Sequence, residues 1–150
     1  MRINEKTVRV LRRPRALIAL RFLLSISKGV PPSGRMVVPQ ELPGGRMFFT
    51  GAHRIAIGKL AEFSIKYPDL ITQRALQLGG KTIEGADIAF RSPGLPYVPL
   101  YALNWRESSE PSDRAVIGID DIAHFHLDLS GIFALTNLLV FRLCRLNEDA

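Results

Sequence analysis

The sequence predicts an α+β fold: a small, mostly antiparallel sheet packed against several helices in a single domain. Two kinds of pattern predict it. Residues 86–91, 97–105 and 115–119 are short apolar or alternating runs of strand length, bounded by Gly, Pro or polar turns. Residues 14–28, 69–78 and 129–145 instead space their apolar side chains at helical intervals. A chain of 150 residues suits one domain with a core that needs no covalent staple. The expected organisation is a basic, flexible segment over 1–13 and the domain over 14–146.

The first helix is predicted over 14–28. Pro14 suits a first turn and Gly29 a C-terminal cap. Arg21, Ser25 and Lys28 fall at i, i+4 and i+7, a polar stripe opposite Leu17, Leu20, Leu23 and Leu24, which are expected to face the core. Arg21 also argues against a signal peptide or a membrane span, since the apolar run is short and a bilayer needs about 20 residues.

Pro31-Pro32-Ser33-Gly34 is turn chemistry, and Arg35 to Val38 reads as a short strand or extended segment. Pro43-Gly44-Gly45 is a second turn. Helix is predicted for the second half of 46–63, ending at Tyr67-Pro68-Asp69, with another helix restarting at Asp69. In the first strand, Asp87 and Ala89 share one face and Ile88 and Phe90 the other. Pro99 removes a ladder donor from the second strand, which is therefore bulged or at an edge there. Asp128 is placed to cap the last helix.

The formal charge of +6 is concentrated in the first third, where eleven Lys and Arg residues face Glu5 and Glu41. Such a field raises the local concentration of polyanions. Arg9, Arg12, Arg13 and Arg15 form its densest group, a candidate polyanion-binding patch. It lacks the interleaved aromatics of a single-strand stacking platform, so weak, non-specific nucleic-acid binding is the form this reading takes. One cysteine, Cys144, leaves no internal disulfide to form.

Several motifs recur together in one family. Leu42-Pro43-Gly44-Gly45, Gly79-Gly80, Ala86 to Phe90, Leu95-Pro96-x-Val98-Pro99-Leu100, Trp105, Glu110, Asp120 and His126-Leu127 are co-linear over roughly Ala16 to Leu143. In this order the chain resembles the domain of unknown function 3786 family. That resemblance implies no activity and carries over no catalytic residue. The chain departs from the pattern at Arg21-Phe22-Leu23, where the family has His-Tyr-Leu, and at Arg106 to Glu110, a sparser acidic turn. Members tend to carry a further N-terminal segment, so the resemblance implies a shortened version. An uncovered sheet edge or helix face would then favour self-association or a partner.

Two constellations could carry chemistry. His124, His126 and Asp128, with Asp120 nearby, would share one side of an extended segment and could hold zinc or iron for a metal-dependent hydrolase. The competing role is structural: Asp128 is a helix cap and His126 a neutral packing residue. Glu41, Arg46, Asp87, Glu110, Asp120 and His126 form a second candidate set, a polar pocket for acid/base work if they converge. Arginine pairing of Asp87 and Glu110 is the competing reading, favoured because a buried carboxylate needs a partner. No complete catalytic set is visible, catalysis is left undecided, and no cofactor is specified.

The sequence is therefore read as a soluble, cytoplasmic accessory module that binds a ligand or a partner without catalysis. The partner would be a protein or a second copy, with no membrane. Metal-dependent hydrolysis and weak nucleic-acid binding are the alternatives.

Overall fold

The computed structural model describes residues 14–27, 29–107 and 114–146; the predicted lead-in over 1–13 and Glu110 lie outside the described residues. A five-stranded antiparallel sheet carries helices on one face. Its strands are β1 (Met36–Val37), β2 (Lys81–Thr82), β3 (Ile88–Leu95), β4 (Val98–Asn104) and β5 (Ala115–Asp120), in spatial order β1-β5-β4-β3-β2. The helices are α1 (Pro14–Ser25), α2 (Gly45–Phe48), α3 (Ile57–Lys66), α4 (Pro68–Gln77) and α5 (Leu129–Leu143). Short 3-10 turns stand at Pro39–Glu41, Gly51–His53 and Ala123–Phe125.

The long strands follow from their residues. On β4, Leu100 and Ala102 point into the helix-covered core, while Tyr101 and Leu103 meet Ala89 on the opposite face. Phe90 and Ile88 join the first group, as the alternation of β3 requires. The register runs Ile88↔Asn104 to Ser92↔Leu100, then shifts before Leu95↔Val98. Pro99 falls opposite that bulge, so its missing N–H breaks no regular ladder. Both edge strands are two residues long, which blunts the edge-to-edge pairing a longer free strand would invite.

Lys81–Thr82 was not foreseen as a strand: two exposed residues carry no period. The break between α3 and α4 is where proline puts it. Tyr67 leaves the helical region at φ −135°, and Pro68 opens the next helix at its first position.

One face assignment is corrected. Helix α1 buries Ile18 and Phe22, at 2% and 6% exposure, not the leucines. Leu17, Leu20, Leu23 and Leu24 are 53%, 48%, 68% and 85% exposed. Ile18 and Phe22 are four residues apart and Ile26 continues their row against the core. The helix is apolar on more than one side, so the side richer in leucine is not the one that packs inward, and Arg21 forms an ion pair with Asp128.

Candidate functional site

Asp120 and His126 are both fully buried, and both hold the same piece of chain, the connection from α1 to β1. Asp120 ends β5. Its Oδ1 accepts the backbone N–H groups of Ser33 at 3.1 Å and Ile122 at 3.2 Å, and its Oδ2 accepts that of Gly34 at 2.9 Å. The Ser33 hydroxyl lies 3.2 Å from Oδ1 and also reaches Asp121. Gly34 stands at φ +80°, the left-handed conformation that turns its N–H inward. A buried carboxylate is thus satisfied by backbone donors in place of a cation.

His126 does the same six residues later. Its Nδ1 accepts the Ser27 N–H at 3.2 Å, and its Nε2 lies 2.8 Å from the Val30 carbonyl. The pair of bonds places a proton on Nε2, with Nδ1 as acceptor. Tyr97 covers it, stacked at 5.5 Å and 28° between planes. Tyr97 holds φ +63° in the β3–β4 turn, a conformation that usually costs a bulky residue about 1–3 kcal/mol.

The remaining candidates are engaged elsewhere. The segment 123–125 is a 3-10 turn, so His124, His126 and Asp128 lose the shared side that an extended strand would give them. His124 Nδ1 lies 3.0 Å from the Asp121 carbonyl, and Asp128 caps α5 by accepting the Gly131 N–H at 2.7 Å. Among the described residues, no three His, Cys, Asp or Glu side chains are placed to hold a metal ion. Glu41 closes the turn after β1 by accepting the Val38 N–H at 3.1 Å. Asp87 is exposed, not buried, and accepts the Arg106 N–H at 2.7 Å. Arg46 is exposed on the last turn of α2. Of the predicted polar pocket, Asp120 and His126 are brought to one segment, while Glu41 and Asp87 are tied to others. Glu110 lies outside the described residues, as do Arg9, Arg12 and Arg13 of the basic patch.

Two features were missed. The first is the leucine face of α1 described above. Arg15 falls on the opposite side of α1, three residues before the buried Ile18, and the Arg142 guanidinium is pushed below its ordinary value, first by burial and then by Arg15 and Arg145. The second is a cleft of about 640 Å³ between α3, the turn after β1 and the start of β5. Phe49, Ile55, Ala61 and Ile117 line its floor, with Gln40, Arg54, Glu62 and Arg114 also lining it. Its lining comes from three distant stretches, which no local period reveals. Gly58 inside an otherwise helical run was the one available signal.

Among the described residues no helix is long and apolar enough to cross a membrane. No curated protein and no solved structure matches the chain. The family model for the domain of unknown function DUF3786 matches residues 1–142, nearly the whole sequence, and the chain belongs to that family.

Proposed function

We propose that the protein is a non-catalytic accessory module of the cytoplasm whose task is to hold a partner protein on the outer face of α1. The carrying observation is the row Leu17, Leu20, Leu23 and Leu24, between 48% and 85% exposed on a helix whose other side is already in the core. A helix apolar on both sides belongs between two bodies. The chain's net charge bears on the second body. A second copy would bring two chains of +6 together, whereas an acidic amphipathic helix offers leucine-type side chains for the row and a charge opposite to that of this chain.

The test is fluorescence anisotropy with a labelled helical peptide carrying leucines on one face and glutamates along its border. Binding should weaken as salt rises and disappear in Leu20→Ser/Leu24→Ser. Because both leucines are exposed, that variant should keep its fold. Binding that ignores the double substitution, or a monomer that binds neither the peptide nor an apolar dye, would overturn this reading. Sedimentation as a dimer that Leu24→Ser dissociates would replace the partner protein by a second copy.

A further inference from the structure

A pocket of about 140 Å³ lies between α5, the end of α4 and the β3–β4 hairpin. Leu78, Leu100, Leu135, Leu138 and Leu139 supply most of its wall, with Pro93 and Gly94 of the β3 bulge on one side. An apolar cavity of about 150 Å³ with walls of this kind takes up one benzene ring. Two polar side chains interrupt the wall, and both are unused. Ser92 is 5% exposed, and among the described residues its hydroxyl makes no hydrogen bond. Arg142 is half-buried, and among the described residues no ion pair or hydrogen bond holds its guanidinium. Burial, Arg15 and Arg145 all act against its charged form. Its place in the last turn of α5 suits the helix dipole, but that role requires neither burial nor a pocket beside it. A partly desolvated cation crowded by like charges is a poor neighbour for an empty apolar pocket and a good one for an anion.

We propose that this pocket binds a small aromatic or branched-chain monocarboxylate, its apolar body among the leucines and its carboxylate on Arg142, with the Ser92 hydroxyl as a further hydrogen-bonding group. A carboxylate is the anion because one guanidinium lines the pocket, and its planar fork matches two coplanar oxygens. No residue of α1 lines the pocket, so the site is separate from the leucine face and does not rest on it.

The experiment is an amide NMR titration of the full chain with benzoate and isovalerate, with benzyl alcohol as the uncharged control and phenyl phosphate as the dianion. Benzoate should bind with a Kd of about 0.1–1 mM, the range open to so small a ligand, and should shift the amides of Ser92, Gly94 and Arg142. Benzyl alcohol should bind about ten-fold more weakly. Arg142→Gln should lower benzoate affinity by about ten-fold and leave benzyl alcohol where it was. That variant should not melt earlier, since it relieves the crowding with Arg15 and Arg145. Ser92→Val fills part of the pocket and should weaken both ligands by about ten-fold, while its melting temperature holds or rises because an unpaired hydroxyl is removed from a strand. Leu20→Ser/Leu24→Ser should leave benzoate binding unchanged, so failure here and failure of the α1 reading are told apart. A Kd weaker than about 10 mM for both carboxylates, equal binding of benzyl alcohol, tighter binding of phenyl phosphate, or benzoate affinity indifferent to Arg142→Gln would each overturn the proposal.

Discussion

Replacing Asp120 by asparagine tests whether this residue is a structural clamp. The side chain is 0% exposed, and its two oxygens divide the work. Oδ1 accepts from Ser33 and Ile122, and Oδ2 accepts from Gly34 at 2.9 Å. Asparagine can keep the first oxygen but sets an NH₂ against the Gly34 N–H, donor facing donor. One charge-assisted hydrogen bond is lost, worth about 1.5–3 kcal/mol, and the surviving ones become neutral and weaker. The expected cost is about 2–4 kcal/mol, or a fall in melting temperature of about 5–15 °C for a chain of this size. Urea denaturation should give the free energy. Amide exchange should show Gly34 and Ser33 losing protection before the β3–β4 hairpin does. A loss within about 0.5 kcal/mol of zero would mean that the connection from α1 to β1 is not held by this carboxylate.

Asn104→Leu removes a buried amide that makes no hydrogen bond and replaces it by an apolar side chain of similar size; we expect unchanged or higher stability, by up to about 1–3 kcal/mol, measured by denaturant midpoint. Gly131→Ala, although better for a helix, should destabilise by about 1–3 kcal/mol, because a Cβ would sit 2.6 Å from Leu127, itself fully buried. Cys144 is buried, with its thiol pushed up to about 11 by burial. It should react with a thiol reagent at pH 8 only after unfolding. Since the folded value is the higher one, stability is retained below the ordinary pH 9.0 and is lost as pH rises toward about 11, and a Cys144→Ala variant should lack that alkaline loss.

Much of the fold was legible because its signals are local. Pro68 after Tyr67 divides two helices, Asp128 caps the next, and the alternation from Ala86 to Phe90 assigns both faces of β3. Of the two-residue strands, Met36–Val37 lies inside the segment read as a short strand or extended stretch, whereas Lys81–Thr82 was not legible and is a strand because β3 presents free backbone beside it. The orientation of α1 was misread for a related reason. Six large apolar side chains lie between Leu17 and Leu24, and contact with α5 decides which pair enters the core. The candidate site was legible in part. Asp120 and His126 were named through the family motif and the two polar constellations, but what they hold is the backbone of 27–34, which has no side-chain signature. The cleft was invisible because its lining is drawn from segments some 60 residues apart in sequence.

The bonds made by Arg21, Ser27, Val30, Ser33 and Gly34 to the far end of the chain span 86 to 107 positions. During synthesis at about 5–20 residues per second, the first helix therefore waits roughly 5–20 s before Asp120, His126 and Asp128 exist. For that interval Ile18 and Phe22 are as exposed as the leucines on the other side, and loop closure over such a length is slow. The nascent N-terminal third should consequently be the stretch that chaperones occupy first. In the finished protein, breaking the Asp120 and His126 clamps should loosen the connection between α1 and β1 first, while the β2-β3-β4-β5 ladders persist.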